Sequence, residues 1–230
     1  MGKIICFDVG RLPYEKALNL QEAAVRAIRE RIVEEVFFFT EHDPVYTAGI
    51  HQKKSDDPEG IEVIRVRRGG KITFHGPGQI VLYILTDLSR RKLNIKELIT
   101  LVQNSVIATL SGYGLPAEGR LHEETGVWTR GRKICSIGFQ LNGSITMHGI
   151  ALNVTTNMSY FEKIKPCGFP SSVMTSMMME LNGDVDINDV KKRLWENIKL
   201  NLGVKESVCI TEQDSFLGLL SSEQSSETAL

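Results

Sequence analysis

Across 230 residues the chain is 42% apolar and 24% charged with a formal net charge of −1, the balance of a soluble globular protein. Near-neutral charge gives no footprint for nucleic acid or an acidic membrane surface, and no apolar run approaches the roughly 20 residues that span a bilayer. The length suits one large domain or two small ones.

The start, MGKIICFDVGRLPYEK, holds only a short apolar patch before Asp8, so no secretory signal is expected. Residues 3–9 read as a strand closed by Gly10. Pro13 and Tyr14 open a helical pattern through Ala17, Leu20, Ala24, Ala27 and Ile28 and on to Ile32 and Val33, with one stripe toward a core. Residues 35–40, EVFFFT, predict a buried strand. Asp43-Pro44 carries turn chemistry, and residues 51–60, HQKKSDDPEG, predict an exposed loop. Residues 61–66 alternate as an amphipathic strand does.

The chain is organised around RRGGKITFHGPGQIVLYILTDL, which begins at Arg67. A short β-like run ends in His75-Gly76-Pro77-Gly78-Gln79, and a second apolar strand follows at residues 80–85. A plain hairpin needs only two turn residues. This much glycine beside a histidine suits either an unusual strand-loop-strand or a surface that a ligand approaches closely.

Beyond the SRRK connector, Ile95, Leu98, Ile99, Val102, Val106, Ile107 and Leu110 form the clearest helical stripe, ended by Gly112 and Gly114. Residues 126–154 return to β pattern, with turns at Arg130-Gly131 and Asn142-Gly143. Residues 157–172 read as a loop with a helical turn near Tyr160. Asp186 or Asn188 caps a last helix carrying Val190, Leu194, Ile198 and Leu202. From Gln213 a Ser/Glu-rich tail is expected to be disordered, leaving residues 1–212 as one α+β domain. A mixed, hairpin-rich sheet flanked by helices is the predicted architecture.

Four cysteines (Cys6, Cys135, Cys167, Cys209) stand apart, without a CxxC pair or zinc spacing to histidine, so reduced thiols in the cytoplasm and no metal site are expected. Cys6 and Cys135 fall in apolar runs and read as core filler. Cys167 stands between Pro166 and Gly168, where a thiol can face a cleft, and is the candidate nucleophile. Lys133, at the start of the strand after a turn, is either a solvated hairpin residue or a cation that lowers a thiol pKa and relays protons. His75 and His148 each precede a glycine and suit structural or pocket-lining hydrogen bonding more than metal ligation.

Taken together these strings resemble a family, the lipoyl(octanoyl) transferases. EHDPVYTAG from Glu41, the RGG…HGPGQ run from Arg68, Arg132 to Gly138, HGIALN from His148, and Pro166-Cys167-Gly168 with Thr175-Ser176 match its motifs in order. Phe74 stands where the family often has tyrosine, which implies an apolar pocket wall. The resemblance implies a biotin/lipoate-protein-ligase-like fold and octanoyl transfer, in lipoate biosynthesis, from octanoyl-acyl carrier protein to a lysine of lipoyl domains. Those acceptors would belong to 2-oxoacid dehydrogenase complexes and the glycine cleavage H protein. It makes Cys167 the acyl-accepting nucleophile and Lys133 its activator. It assigns acyl binding to Arg68, Gly69, Gly70, Lys71, Ile72, Thr73, Phe74 and His75, then Ser136, Ile137 and Gly138, then Gly149, Ile150 and Ala151. Thioester to amide runs downhill, so no cofactor is expected. Basic clusters at Lys53-Lys54, Arg67-Arg68 and Arg90-Arg91-Lys92 are candidates to receive acidic partners. The rival readings are an ATP-dependent lipoate-protein ligase, which shares the fold, and a non-catalytic acyl- or carrier-binding module.

Overall fold

A computed structural model describes residues 4–166, 170–204 and 207–210. The chain runs β1 (Ile4–Leu12), α1 (Tyr14–Arg29), β2 (Glu35–His42), β3 (Val45–Ala48), β4 (Val63–Arg65), β5 (Ile72–His75) and β6 (Gln79–Thr86). It continues with α2 (Leu88–Arg91), α3 (Ile95–Ser111), β7 (Glu118–Arg120), β8 (Gly126–Thr129), β9 (Arg132–Asn142) and β10 (Ile145–Asn153). The last elements are α4 (Met177–Leu181), α5 (Ile187–Leu202) and β11 (Ser207–Ile210). Eight strands form one sheet in the order β11-β1-β2-β6-β10-β9-β8-β7, and β4-β3-β5 form a second. β1 runs parallel to both β2 and β11, whereas the β2-β6-β10-β9-β8-β7 succession is antiparallel, which makes the sheet mixed. This is the predicted α+β class.

Period-two alternation sends successive side chains to opposite faces of the large sheet. Phe37, Phe39, Ile80, Leu82 and Ile84 meet Leu98, Val102 and Val106 of α3 and Val190, Leu194 and Ile198 of α5. Their neighbours Val36, Phe38, Val81, Tyr83 and Leu85 meet Ala17, Leu20, Ala24 and Ile28 of α1. The small sheet has its own cluster, in which Ile72 and Phe74 pack on Phe161, Ile164 and Met174.

Local chemistry sets most boundaries. Asn94 and Glu97 form a reciprocal capping box at the start of α3, and Asp186 caps α5. The Asn142-Gly143 turn joins β9 and β10 as the hairpin signal predicts. Two expectations are corrected. β1 does not close at Gly10, because a register shift between Asp8 and Arg11 absorbs that residue and the strand continues to Leu12. α1 ends at Arg29, because Arg31 takes a left-handed conformation (φ 65°) and turns the chain toward β2. Ile32 and Val33 still pack in the α1 cluster, so the apolar stripe outlasts its helix.

Arg68 and Arg91 do not offer docking charges. Arg91 turns inward onto Glu35 and donates to the Leu202 carbonyl at 2.6 Å, while Arg68 is buried. No described helix is long and apolar enough to cross a membrane. The tail from Gln213 lies outside the described residues.

Candidate active site

On the α1 side of the large sheet, β6, β9 and β10 border a small cavity. Small residues create it. Ser136 and Gly138 of β9 pair with Ala151 and Gly149 of β10, and all four line the space. Gly149 admits no side chain, since a Cβ there would lie 2.1 Å from the Leu82 carbonyl oxygen. Just before it His148 adopts φ 64°, uncommon for a residue with a side chain, and its N–H donates to Gln21 Oε1 of α1 at 2.7 Å.

The Arg68-Gly69-Gly70 segment forms another wall. The Gly69 N–H donates to the Phe139 carbonyl at 2.9 Å, docking the segment on β9. The Arg68 guanidinium donates to the carbonyls of Gly69, Lys71 and Thr47 and to Thr47 Oγ1, at 2.8–3.0 Å. Its visible work is to hold the segment against β3.

β5 divides by alternation. Thr73 and His75 face the cavity, whereas Ile72 and Phe74 face the small-sheet cluster. Phe74 stacks on Tyr160 with ring centroids 4.4 Å apart, so its wall belongs to that cluster and not to the cavity. Lys71 is exposed and borders a separate groove with Lys163 and Lys165. Ile137 and Ile150 turn their side chains to the α3 and α5 core but still contribute to the cavity lining.

Aromatic and imidazole groups make the cavity's polar part. His75 Nδ1–H donates to Gln79 Oε1 at 2.7 Å, and its Nε2 faces Thr47 Oγ1 at 3.3 Å. His42 Nδ1–H donates to the Leu12 carbonyl and the Tyr83 O–H donates to His42 Nε2, both at 2.8 Å. The Tyr14 and Tyr83 hydroxyls lie within hydrogen-bond reach of each other. Burial pushes His42 down to about 4. Burial, with Arg68 nearby, pushes His148 down to about 3. Burial, then His42 and Arg68, hold His75 well below the ordinary range. All three imidazoles are neutral near pH 7.

Lys133 resolves the choice between hairpin surface and interior: it is 2% exposed and lines the cavity. Lysine is almost never buried to this degree without a partner. Gly126 on β8 makes room for it, because a Cβ there would lie 2.6 Å from Lys133 Cε. Its ammonium stands 5.7 Å from the centre of the Trp128 ring, within cation–π reach. The Lys133 carbonyl accepts from the Thr175 N–H at 3.0 Å, which joins β9 to the segment following Cys167. Cys167 and Gly168 themselves lie outside the described residues. Cys135 is buried and its thiol is pushed up to about 12 by burial, which outweighs nearby Lys133, so it is an inert core thiol. Among the described residues no group of three His, Cys, Asp or Glu side chains is placed to hold a metal ion.

The family model for the lipoyl protein ligase A/B catalytic domain matches residues 13–199. A Picrophilus torridus protein named "Probable octanoyltransferase 2" is 43% identical over 206 residues, covering 90% of this chain and 82% of its own. The octanoyltransferase of Geobacter sp. strain M21 is 38% identical over 191 residues, covering 82% of this chain and 92% of its own. The chain belongs to the lipoyl protein ligase A/B family. Membership, with relatives named for octanoyl transfer, makes it an acyltransferase. At the level of fold it is similar to lipoate-protein ligase A bound with ATP, with a TM-score of 0.70 at 17% identity, covering 96% of this chain and 93% of that one.

Beyond the motifs that carried the resemblance to this family, the cavity adds Tyr14, Val81 and Tyr83, while His148 of the HGIALN motif lines it and His42 of EHDPVYTAG stands behind the two tyrosines. One signal for Tyr83 stood in the sequence. A phenol within IVLYIL, a strand apolar on both faces, needs a buried partner for its hydroxyl. Tyr14 carried no such signal, being the first residue of an amphipathic helix.

Proposed function

We propose that this acyltransferase moves an octanoyl group from octanoyl-acyl carrier protein to a lysine of lipoyl domains through a thioester on Cys167. The observation that carries the reading is Lys133, buried in the wall of a largely apolar cavity and bonded through its carbonyl to Thr175. A cation there favours the thiolate of a neighbouring cysteine and is placed to pass protons.

In the first half-reaction the Cys167 thiolate attacks the thioester carbonyl of the donor. The bond from that carbon to the carrier sulfur breaks, and the carrier thiol leaves with a proton from the Lys133 ammonium. In the second, the amine of the acceptor lysine attacks the octanoyl-Cys167 carbonyl. The carbon–sulfur bond to Cys167 breaks, the amide forms, and the amine's proton passes to Lys133. Val81 and Ala151 supply side-chain apolar contact for the acyl tail, while Gly138 and Gly149 let it approach backbone. Each methylene removed from water contributes about 0.8 kcal/mol. Acceptors are lipoyl domains of 2-oxoacid dehydrogenase complexes and the glycine cleavage H protein. No ATP, metal or other cofactor enters this scheme.

Intact-protein mass spectrometry after brief incubation with octanoyl-acyl carrier protein, without ATP, tests it. Wild type should gain one octanoyl mass, labile to hydroxylamine, and Cys167→Ser should gain none. Modification of a lipoyl domain only when ATP and free octanoate are supplied would replace this reading with a ligase. Modification of neither protein would leave an acyl-binding module.

A further inference from the structure

A chain of buried hydrogen bonds runs from the cavity to the hairpin that carries Lys133, and the transfer scheme makes no use of it. His75 donates to Gln79 Oε1 at 2.7 Å, and Gln79 Nε2 donates to Asn153 Oδ1 at 2.9 Å. Asn153 Nδ2 donates to the Thr175 carbonyl at 3.0 Å, and the Thr175 N–H donates to the Lys133 carbonyl at 3.0 Å. The Thr175 hydroxyl donates to Glu180 Oε1 at 2.7 Å, and Arg132 Nη2 reaches the same oxygen at 2.8 Å. Arg130 Nη1 lies 3.4 Å from the other carboxylate oxygen. Gln79, Asn153, Thr175 and Glu180 are all buried. A buried polar group left without its partner costs more than the bond contributes when made. The chain is therefore geometrically determinate.

Thr175 is its hub. Its peptide is gripped on the N–H side by β9 and on the carbonyl side by Asn153 at the end of β10, while its side chain reaches the carboxylate that holds Arg132 beside Lys133. One residue earlier, Met174 forms a parallel bridge with Lys133 and packs with Ile164 in the small-sheet cluster. Residues 174 and 175, seven and eight positions after Cys167, are thereby fixed to the lysine-bearing strand.

Resting on the transfer reading above, we propose that Asn153, Thr175 and Glu180 are positioning residues that set the Lys133 ammonium against the Cys167 thiol. They touch neither acyl group nor carrier and act through the Lys133 backbone. Misplacing reacting groups by about 1 Å costs on the order of a hundredfold in rate. Loosening these links should therefore lower turnover and weaken thiolate stabilisation while leaving donor binding in place.

The test uses the full-length protein in the forms Thr175→Val, Thr175→Ser, Asn153→Ala and Glu180→Gln. Thr175→Val keeps shape and backbone bonds and removes only the hydroxyl link, so it guards against a variant that simply fails to fold. Thermal melts accompany each form. Iodoacetamide alkylation of Cys167, followed by peptide mass spectrometry across pH, reads the thiolate without any acyl donor. In Thr175→Val and Asn153→Ala the midpoint should rise by about one pH unit toward that of an ordinary thiol. In the same two variants kcat should fall roughly ten- to hundredfold with KM within about twofold, and Thr175→Ser should restore both. A wild-type Cys167 that titrates as an ordinary thiol defeats the cysteine–lysine reading and this inference with it. A depressed wild-type midpoint that survives unchanged in folded Thr175→Val and Asn153→Ala overturns this inference alone.

Discussion

The two faces of the large sheet are built from the same strands and do opposite things. Toward α3 and α5, Phe37, Leu82, Ile84 and Cys135 pack into a continuous apolar core with Leu98, Val106 and Leu194. Toward α1, the neighbouring positions Val81, Tyr83, Ser136, Gly138 and Ala151 leave a cavity, closed by neutral imidazoles, phenols and a buried lysine. One face is filled for stability. The other gives up packing over the span of β9 and β10 that lies beside Lys133, which is where a site needs empty space and a charge of low exposure.

The largest test of that contrast is Lys133→Ala. Octanoyl transfer should fall by about two to four orders of magnitude, as expected for loss of an acid–base group, while the melting temperature is kept or raised because a buried ammonium has been removed. A large drop in melting temperature would make Lys133 a structural member of the core instead. Next in size is Phe37→Ala on the filled face, which should cost about 3–5 kcal/mol in urea unfolding. Val81→Ala on the cavity face should cost only about 1 kcal/mol, because its methyl groups already border empty space. Equal losses would mean that the two faces are packed alike.

Acid should separate the faces as well. His42 and His148 have folded pKa values of about 4 and about 3, below the ordinary 6.5 of an unfolded chain. Between those limits the unfolded state binds more protons than the folded one, so stability rises with pH. The contribution is complete above about 6.5 and is lost as pH falls through about 4 and then about 3. For His42 alone it is on the order of 3 kcal/mol. Urea midpoints should therefore decline from pH 7 to pH 4, and His42→Asn should flatten the decline; a level profile in the wild type would contradict the buried neutral imidazole. The smallest effect expected is from Ala151→Leu. Shortening the slot should shift preference toward acyl chains two or three methylenes shorter, at about 0.8 kcal/mol each, read as kcat/KM for hexanoyl against octanoyl carrier. Unchanged selectivity would remove Ala151 from the acyl path.

Much of this architecture was legible in the chain itself. The stripes of α1, α3 and α5, the Asn142-Gly143 hairpin and the glycine-bounded Arg68–Gln79 run follow from periodicity and turn chemistry, which act over a few residues. The family motifs added Lys133 as a site candidate where spacing alone favoured a solvated side chain. Tertiary structure decided the rest, because the deciding contacts join distant residues. β5 could not announce which of its faces meets the cavity, so Thr73 and His75 parted from Ile72 and Phe74 only once β3 and the Tyr160 segment were in place. Tyr14, His42 and Tyr83 converge from α1, β2 and β6, and no local pattern predicts that convergence. The link from Asn153 to Thr175 spans 22 residues, and the pairing of β1 with β11 joins the two ends of the described chain. Local sequence determines which elements form and which of their sides are apolar. Whether a polar residue such as Lys133 meets water or a cavity depends on what the rest of the chain packs against it.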